Sequence, residues 1–385
     1  QLAKQRCQLP RTLYAFGETR LMTTRPMHIG LVGPLPPPFG GMANQTRQLA
    51  ELLRSEGLTV SLVQTNAAYR PQWVSSLPVI RAIFRLVPYL LALWNLSGRC
   101  NLVHVMANSG WSWHLFAAPA IWIAKLRNTP VVVNYRGGEA ASFLANSTQS
   151  VALSMRQASA LIVPSGFLKT VFARFNMAAA IVPNIVDIER FNNPAPHRAT
   201  RRHLLVARNL EPIYDNETAI RAFLTVHRRH SDATLTIAGS GPLADSLRAL
   251  AESLGLPGAV IFAGRLDRDA MAQAYRSADI AINPSLVDNM PNSVLEALAS
   301  GVPVVSTNVG GVPYIVNDGQ TALLVPANSP EAMAEAILKL MDDASLSEKL
   351  INNSLTEVQK YTWQRVWPLL AEVYDQASQT HRSPA

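Results

Sequence analysis

From residue 27 onward the chain alternates short apolar runs with stretches whose apolar residues recur at helical spacing. The runs fall at residues 28–32, 58–63, 102–106, 131–133 and 160–163. Brief runs rich in Val, Ile and Leu suit strands buried on both faces, with the intervening helices covering them. The alternation stops at residues 191–203, where Asn, Pro and basic residues replace the apolar ones, and this stretch reads as a linker. A second series follows at 204–207, 233–238, 260–263, 280–283, 304–306 and 322–325. The pattern predicts an α/β protein of two doubly wound, Rossmann-like domains, with a ligand cleft at the carboxyl ends of their strands. The divisions are residues 27–195 and 196–360, then a helix over 361–378 striped with Trp363, Trp367 and Tyr374. Residues 1–26 have neither period and read as a disordered tail or sequence upstream of the true start, with Met22 or Met27 as candidate initiators.

Composition agrees with this picture. A chain of 385 residues, 48% hydrophobic and 16% charged, can bury large cores and is not intrinsically disordered. Two cysteines provide no disulfide framework and no structural zinc spacing, which suggests a reducing compartment. The longest uncharged stretch, 100–124, is broken by Asn101, His104, Asn108 and His114, so no membrane span is expected.

Charge adds something that the pattern does not. Residues 1–190 carry 18 Lys/Arg against 6 Asp/Glu, a net +12, whereas residues 191–385 carry a net −4. One half therefore suits an anionic surface. Residues 78–98, apolar with Arg81 and Arg85, read either as a core helix or as one lying on a bilayer. Nucleic acid is disfavoured because the arginines are scattered rather than interleaved with aromatics.

Two places carry candidate chemistry. The first strand runs into a Gly/Pro turn ending in Gly40, Gly41 and Met42 before a helix, and a glycine turn opening a helix leaves backbone N–H groups to meet an anion. It is not a GxGxxG turn, which disfavours a dinucleotide oxidoreductase. In the second half Asp288 and Glu296 lie eight residues apart across a loop and a helix start. Pro291 suits the first helical turn and would leave the N–H groups of Asn292, Ser293 and Val294 for an anion. Asp267 and Asp269 have the spacing of a metal-binding DxD, but at a helix start they read as dipole-favoured first-turn acids. His104 and His114 read as structural.

Around the two acids lie Gly301-Val302-Pro303, Val304 to Thr307, and Gly310-Gly311. With these the chain resembles the GT-B glycosyltransferases of family 4, marked by two acids separated by seven residues, an LEA-type helix, GxPVV and a GG loop. Gly40-Gly41-Met42, Val182 to Asp187, Arg208-Asn209-Leu210, Gly239 to Pro242, and Ser277-Ala278-Asp279 follow in the family's order, so the resemblance covers residues 27–377.

The resemblance implies that Gly41 gives backbone contact to a donor diphosphate, that Arg208 pairs with it, that Asp288 lies by the donor sugar and that Glu296 holds the ribose hydroxyls. Asp288 and Arg208 are then the catalytic pair. The donor site adds Asn292, Ser293 and Val294, while Arg136 and Glu139 are acceptor-side candidates. It further implies a final helix crossing back to the first domain, retention of configuration, and no metal or other cofactor.

The chain departs from the family pattern at four points. The first acid is Asp288 where the family usually has Glu, followed by Asn289, Met290 and Pro291 instead of glycines. The lysine usual after the arginine is absent, which leaves Arg265 as a possible second cation. Arg136 replaces a histidine, and Tyr314 replaces an acid after the GG loop.

The expected function is a retaining, metal-independent hexosyltransferase, moving a sugar from a nucleoside-diphosphate sugar to a glycan or lipid-linked acceptor in polysaccharide biosynthesis. It would be cytoplasmic, with peripheral docking on the inner membrane face. A GT-B sugar-nucleotide 2-epimerase and a non-catalytic glycan- or nucleotide-binding protein remain as alternatives.

Overall fold

A computed structural model describes residues 27–37, 40–67, 78–193 and 202–380. The expected tail, 1–26, and the middle of the expected linker, 194–201, lie outside the described residues.

The first sheet contains β1 (His28–Gly33), β2 (Thr59–Gln64), β3 (Leu102–Ala107), β4 (Val131–Tyr135), β5 (Ala160–Val163) and β6 (Ala180–Ile181), in the order β2-β1-β3-β4-β5-β6. The second contains β7 (His203–Val206), β8 (Thr234–Ala238), β9 (Val260–Gly264), β10 (Ile280–Asn283), β11 (Val304–Thr307) and β12 (Leu323–Val325), ordered β12-β11-β10-β7-β8-β9. Every pairing between these strands is parallel. Both sheets are thus the α/β doubly wound type that the pattern predicts. β3 and β4 are buried at every position, which explains their unbroken apolar runs. β6 is only two residues long and exposed, too short to leave a pattern.

Helical spacing sets what the helices bury. The helix Gly41–Ser55 buries Ala43, Thr46, Leu49, Ala50 and Leu53, three or four residues apart on one stripe. The helix Asn216–Arg229 begins where the Asp215 side chain accepts from the Thr218 amide and buries Ile220, Phe223 and Val226. The helix Pro78–Ser97 is two-sided: Tyr89, Leu93 and Leu96 enter the first core, while Phe84, Val87, Leu91 and Trp94 stay exposed. Among the described residues no helix is long and apolar enough to cross a membrane.

The helix Trp363–Thr380 does return to the first sheet. Its Val366, Leu370, Val373, Tyr374 and Ala377 share a core with Ile29, Leu31, Leu102, Val132 and Ile162. Burying a leucine such as Leu370 in that core stabilises the fold by about 2–5 kcal/mol relative to alanine. Tyr374 also reaches His104 on β3, at 2.8 Å.

Candidate active site

In each sheet the strand order reverses beside its first strand, which opens a crevice at the carboxyl ends of the flanking strands. In the second sheet the flanking strands are β7 and β10. Arg208 follows β7 and Asp288 follows β10, so residues 80 apart in sequence meet as an ion pair. Arg208 Nε donates to Asn283 Oδ1 at 2.8 Å, and its guanidinium lies 4.9 Å from the Tyr214 ring centre. Asn283 is itself held by Ser285 Oγ and Ser306 Oγ, both at 2.9 Å. The guanidinium therefore has a fixed plane, aimed into a cleft of about 1220 Å³ lined by both halves of the molecule.

Close approach of backbones explains four motif glycines. A Cβ at Gly239 or Gly241 would collide with the carbonyls of Arg208 and Leu210, and one at Gly310 or Gly311 with those of Asp288 and Asn289. The Gly311 amide donates to the Asp288 carbonyl at 2.8 Å. These glycines hold the loops that carry the arginine and the acid. Gly40 and Gly41 differ: nothing lies within 4 Å of where their Cβ would stand, and both line the cleft at the start of the helix Gly41–Ser55.

Asp288 and Glu296 line the same cleft, as their spacing predicts. Burial raises the Asp288 carboxyl, while Arg208 opposes the rise. Burial also pushes Glu296 up to about 7, against the pull of Arg268, Tyr275 and Arg208. The helix Asn292–Ala299 starts one residue later than expected, with Pro291 at the cap. Its first turn is tightened by an i to i−3 bond, in which the Val294 amide, expected to be available to an anion, donates to the Pro291 carbonyl at 3.2 Å. Asn292 and Ser293 keep helix-start positions in the cleft. Arg265 also lines the cleft and donates to Ser240 Oγ at 3.1 Å.

Asp267 and Asp269 act as the helix-start reading predicts. Asp267 Oδ1 accepts from the Ala270 amide at 2.8 Å, and Asp269 pairs with Arg190.

The two acceptor-side candidates, Arg136 and Glu139, line the first-domain wall. Arg136 belongs to a polar network that the sequence gives no hint of. Its Nη1 donates to Gln45 Oε1 at 2.7 Å and to Asn184 Oδ1. Gln45 Nε2 and Asn184 Nδ2 donate in turn to Asn292 Oδ1 at 2.9 and 2.8 Å, and Asn184 Nδ2 also donates to the Met290 carbonyl at 2.9 Å. Asn289 Nδ2 donates back to the carbonyls of Arg136, at 3.3 Å, and Gly137. Two of the residues that replace the family's glycines, Asn289 and Met290, thus belong to a bridge between the two halves. On the far side, Arg136 Nε donates to Asn134 Oδ1 at 3.0 Å, which turns Asn134 Nδ2 towards His104 Nε2 at 3.1 Å. His104 must then accept at Nε2 and donate from Nδ1 to Tyr374. Burial, together with the Arg136 charge, lowers this histidine to about 3, so it stays neutral.

Two family models match the chain one after the other. The family model "Glycosyltransferase Family 4" matches residues 39–190, and "Glycosyl transferases group 1" matches residues 187–356. A phosphatidyl-myo-inositol mannosyltransferase of Mycobacterium leprae is 26% identical over 384 aligned residues, covering 91% of this chain and 96% of that protein. A D-inositol 3-phosphate glycosyltransferase of Corynebacterium glutamicum is 30% identical over 216 residues, and an uncharacterised glycosyltransferase of Methanocaldococcus jannaschii 33% over 159. These last two matches cover 51% and 41% of this chain and span about half or less of the relatives, 51% and 40%. Among solved structures, sucrose-phosphate synthase from Thermosynechococcus elongatus superposes with a TM-score of 0.74 at 19% identity, covering 92% of this chain and all of that one. An Anabaena protein in complex with UDP gives 0.71 at 16%, covering 91% of this chain and all of that one. With the two family models together spanning residues 39–356 on a two-sheet GT-B fold, the chain belongs to the family 4 glycosyltransferases.

Proposed function

We propose that the protein is a retaining, metal-independent glycosyltransferase that moves a sugar from a nucleoside-diphosphate sugar to a glycan or lipid-linked acceptor. The observation that carries this reading is the oriented Arg208 facing Asp288 at the second sheet's switch point, with Glu296 in the same cleft. A departing nucleoside diphosphate gains negative charge, and a fixed guanidinium with helix-start amides stabilises that charge without a metal. Arg208 meets the diphosphate, and the backbone at Gly41 approaches it from the opposite wall where no side chain intervenes. Asp288, released from Arg208 as the diphosphate arrives, turns to the donor sugar. The Glu296 carboxylate accepts the ribose hydroxyls, and Asn292 and Ser293 supply donors at the helix start.

The test is incubation with UDP-, GDP- and ADP-hexoses and a panel of glycan and polyprenyl-phosphate acceptors, measuring free nucleoside diphosphate and glycosylated product. The UDP series comes first, since a structural neighbour was solved with UDP-glucose. Epimerised donor formed without acceptor would support the epimerase instead. Nucleotide binding with no donor consumed over the whole panel would support a binding protein.

A lipid-linked acceptor is favoured by the bare face of the helix Pro78–Ser97, where Leu91 is 61% exposed. No acid occurs between Glu56 and Glu139, while Arg85, Arg99, Lys125 and Arg127 fall in that stretch. Each basic residue near an anionic leaflet contributes about 1 kcal/mol within a Debye length. The protein is expected to sediment with anionic liposomes at low salt and to be released by high salt. Equal recovery in the supernatant with neutral and anionic liposomes at low salt would point to a soluble acceptor.

A further inference from the structure

Among the described residues Arg136 is a cation without a carboxylate partner. It lies just past the carboxyl end of β4, its amide held by the Ala107 carbonyl at 2.9 Å, and its side chain lines the cleft. The three acceptors it uses, on Asn134, Gln45 and Asn184, are all neutral amide oxygens. Among the described residues no carboxylate forms an ion pair with it. Two other arginines of the cleft are paired: Arg190 with Asp187 and Asp269, Arg208 with Asp288. Burial lowers the Arg136 guanidinium to about 10, so it keeps its charge at neutral pH. A half-buried charge satisfied only by dipoles is left incompletely compensated, and an anion arriving there gains from it.

Position narrows where that anion sits. The bonds described from the fork leave from Nε and Nη1, so Nη2 is the end left for a ligand oxygen. The Arg136 carbonyl accepts from Asn289, the residue after Asp288, so this cation stands at the Asp288 end of the cleft. Next along the wall, Gly138 has nothing within 4 Å of where its Cβ would stand, which leaves room for a group approaching the fork. Glu139, the nearest acid in sequence, is exposed at the rim.

We propose that Arg136 binds a carboxylate or phosphate carried by the sugar end of a substrate, and so selects an acidic donor sugar or a phosphorylated acceptor over the neutral equivalent. The proposal rests on the glycosyl-transfer reading, and its test separates the two. Wild type, Arg136→Gln and Arg136→Lys are titrated calorimetrically with UDP, UDP-glucose and UDP-glucuronate. A second series uses glycerol 3-phosphate against glycerol with UDP present. Wild type is expected to prefer the anionic member of one pair by about tenfold or more, as a charge-assisted hydrogen bond from Nη2 would give. Arg136→Lys should keep part of that preference and Arg136→Gln should erase it, with UDP affinity retained. A preference for UDP-glucuronate places the anion on the donor, and one for glycerol 3-phosphate places it on the acceptor. No preference in either pair with wild type, or a preference that survives in Arg136→Gln, would overturn the proposal. So would loss of UDP binding in Arg136→Gln and Arg136→Lys alike, because Arg136 would then serve only to hold the halves together. If wild type binds no UDP, it is the donor reading that fails, and the glycerol phosphate pair, repeated without UDP, still decides this one.

Discussion

The glycines of the cleft do opposite work in its two walls. In the second domain Gly239, Gly241, Gly310 and Gly311 are packed against the carbonyls of the loops carrying Arg208 and Asp288, so their missing side chains let protein touch protein. In the first domain Gly40, Gly41 and Gly138 face open space, so their missing side chains leave room for something else. Charge divides the same way: Arg208 has a carboxylate partner in the second wall, whereas Arg136 in the first has only amide oxygens. Around Arg208 the second wall is thus closed on itself, and around Arg136 the first leaves the space in which the proposed anion would sit.

The sharpest way to break this contrast is at the compensated arginine. Arg208→Ala should lower turnover by about 10²–10³-fold, as removal of a preorganised charge-stabilising donor does. Arg208→Lys should recover part of it by keeping the charge and losing the fork. Unchanged steady-state rates in Arg208→Ala would place the diphosphate elsewhere.

The glycines give the next largest effect and a direct test of the two walls. Gly311→Ala should destabilise the fold by about 1–3 kcal/mol, because the added methyl must displace the Asn289 carbonyl. Gly41→Ala should leave the thermal midpoint nearly unchanged and instead weaken donor binding. Thermal denaturation beside nucleotide titration reads both, and equal midpoints for the two variants would remove the distinction.

Glu296 supplies a pH test. Its value of about 7 in the free protein means that acidification protonates the group proposed to hold the ribose hydroxyls, and on that proposal nucleotide affinity should fall by up to about tenfold per pH unit below 7. Stability runs the other way. The folded value lies above the unfolded one, so this carboxyl's contribution to stability is complete in acid and is lost as pH rises through 7. Glu296→Gln should flatten both dependences, which titrations and melts across pH 5.5–8.5 would reveal. The smallest expected effect is that of EDTA, which should leave initial rates unchanged. Full loss restored by Mn or Mg would transfer the leaving-group charge from Arg208 to a metal.

The second wall was legible in the sequence and much of the first was not. Arg208, Asp288 and Glu296 stand among glycines and prolines at fixed offsets, because backbone turns and close approaches tolerate few residue types. The Val294 amide was misjudged because the first turn closes with an i to i−3 bond, a local tightening that no residue type in the sequence marks. Asn184 and Asn289 stood out only as part of a motif and as a departure from one, with no sign of what they bond, and Gln45 left no signal at all. Gln45 bonds Asn292 across 247 positions, and an amide side chain that finds its partner only after two domains meet has no local pattern to betray it. β6 was missed for a simpler reason: two exposed residues have no period.

The returning helix also sets the order in which this chain is able to fold as it is made. The face of the first sheet formed by Ile29, Leu31, Leu102, Val132 and Ile162 is covered by Val366, Leu370 and Val373. A ribosome therefore releases those strands with that cover still untranslated, and synthesises all of the second sheet before the missing helix emerges. Until then the first half carries a bare apolar face at the moment when nascent chains most readily aggregate. Codon changes that slow elongation across residues 202–362 should lower the soluble yield.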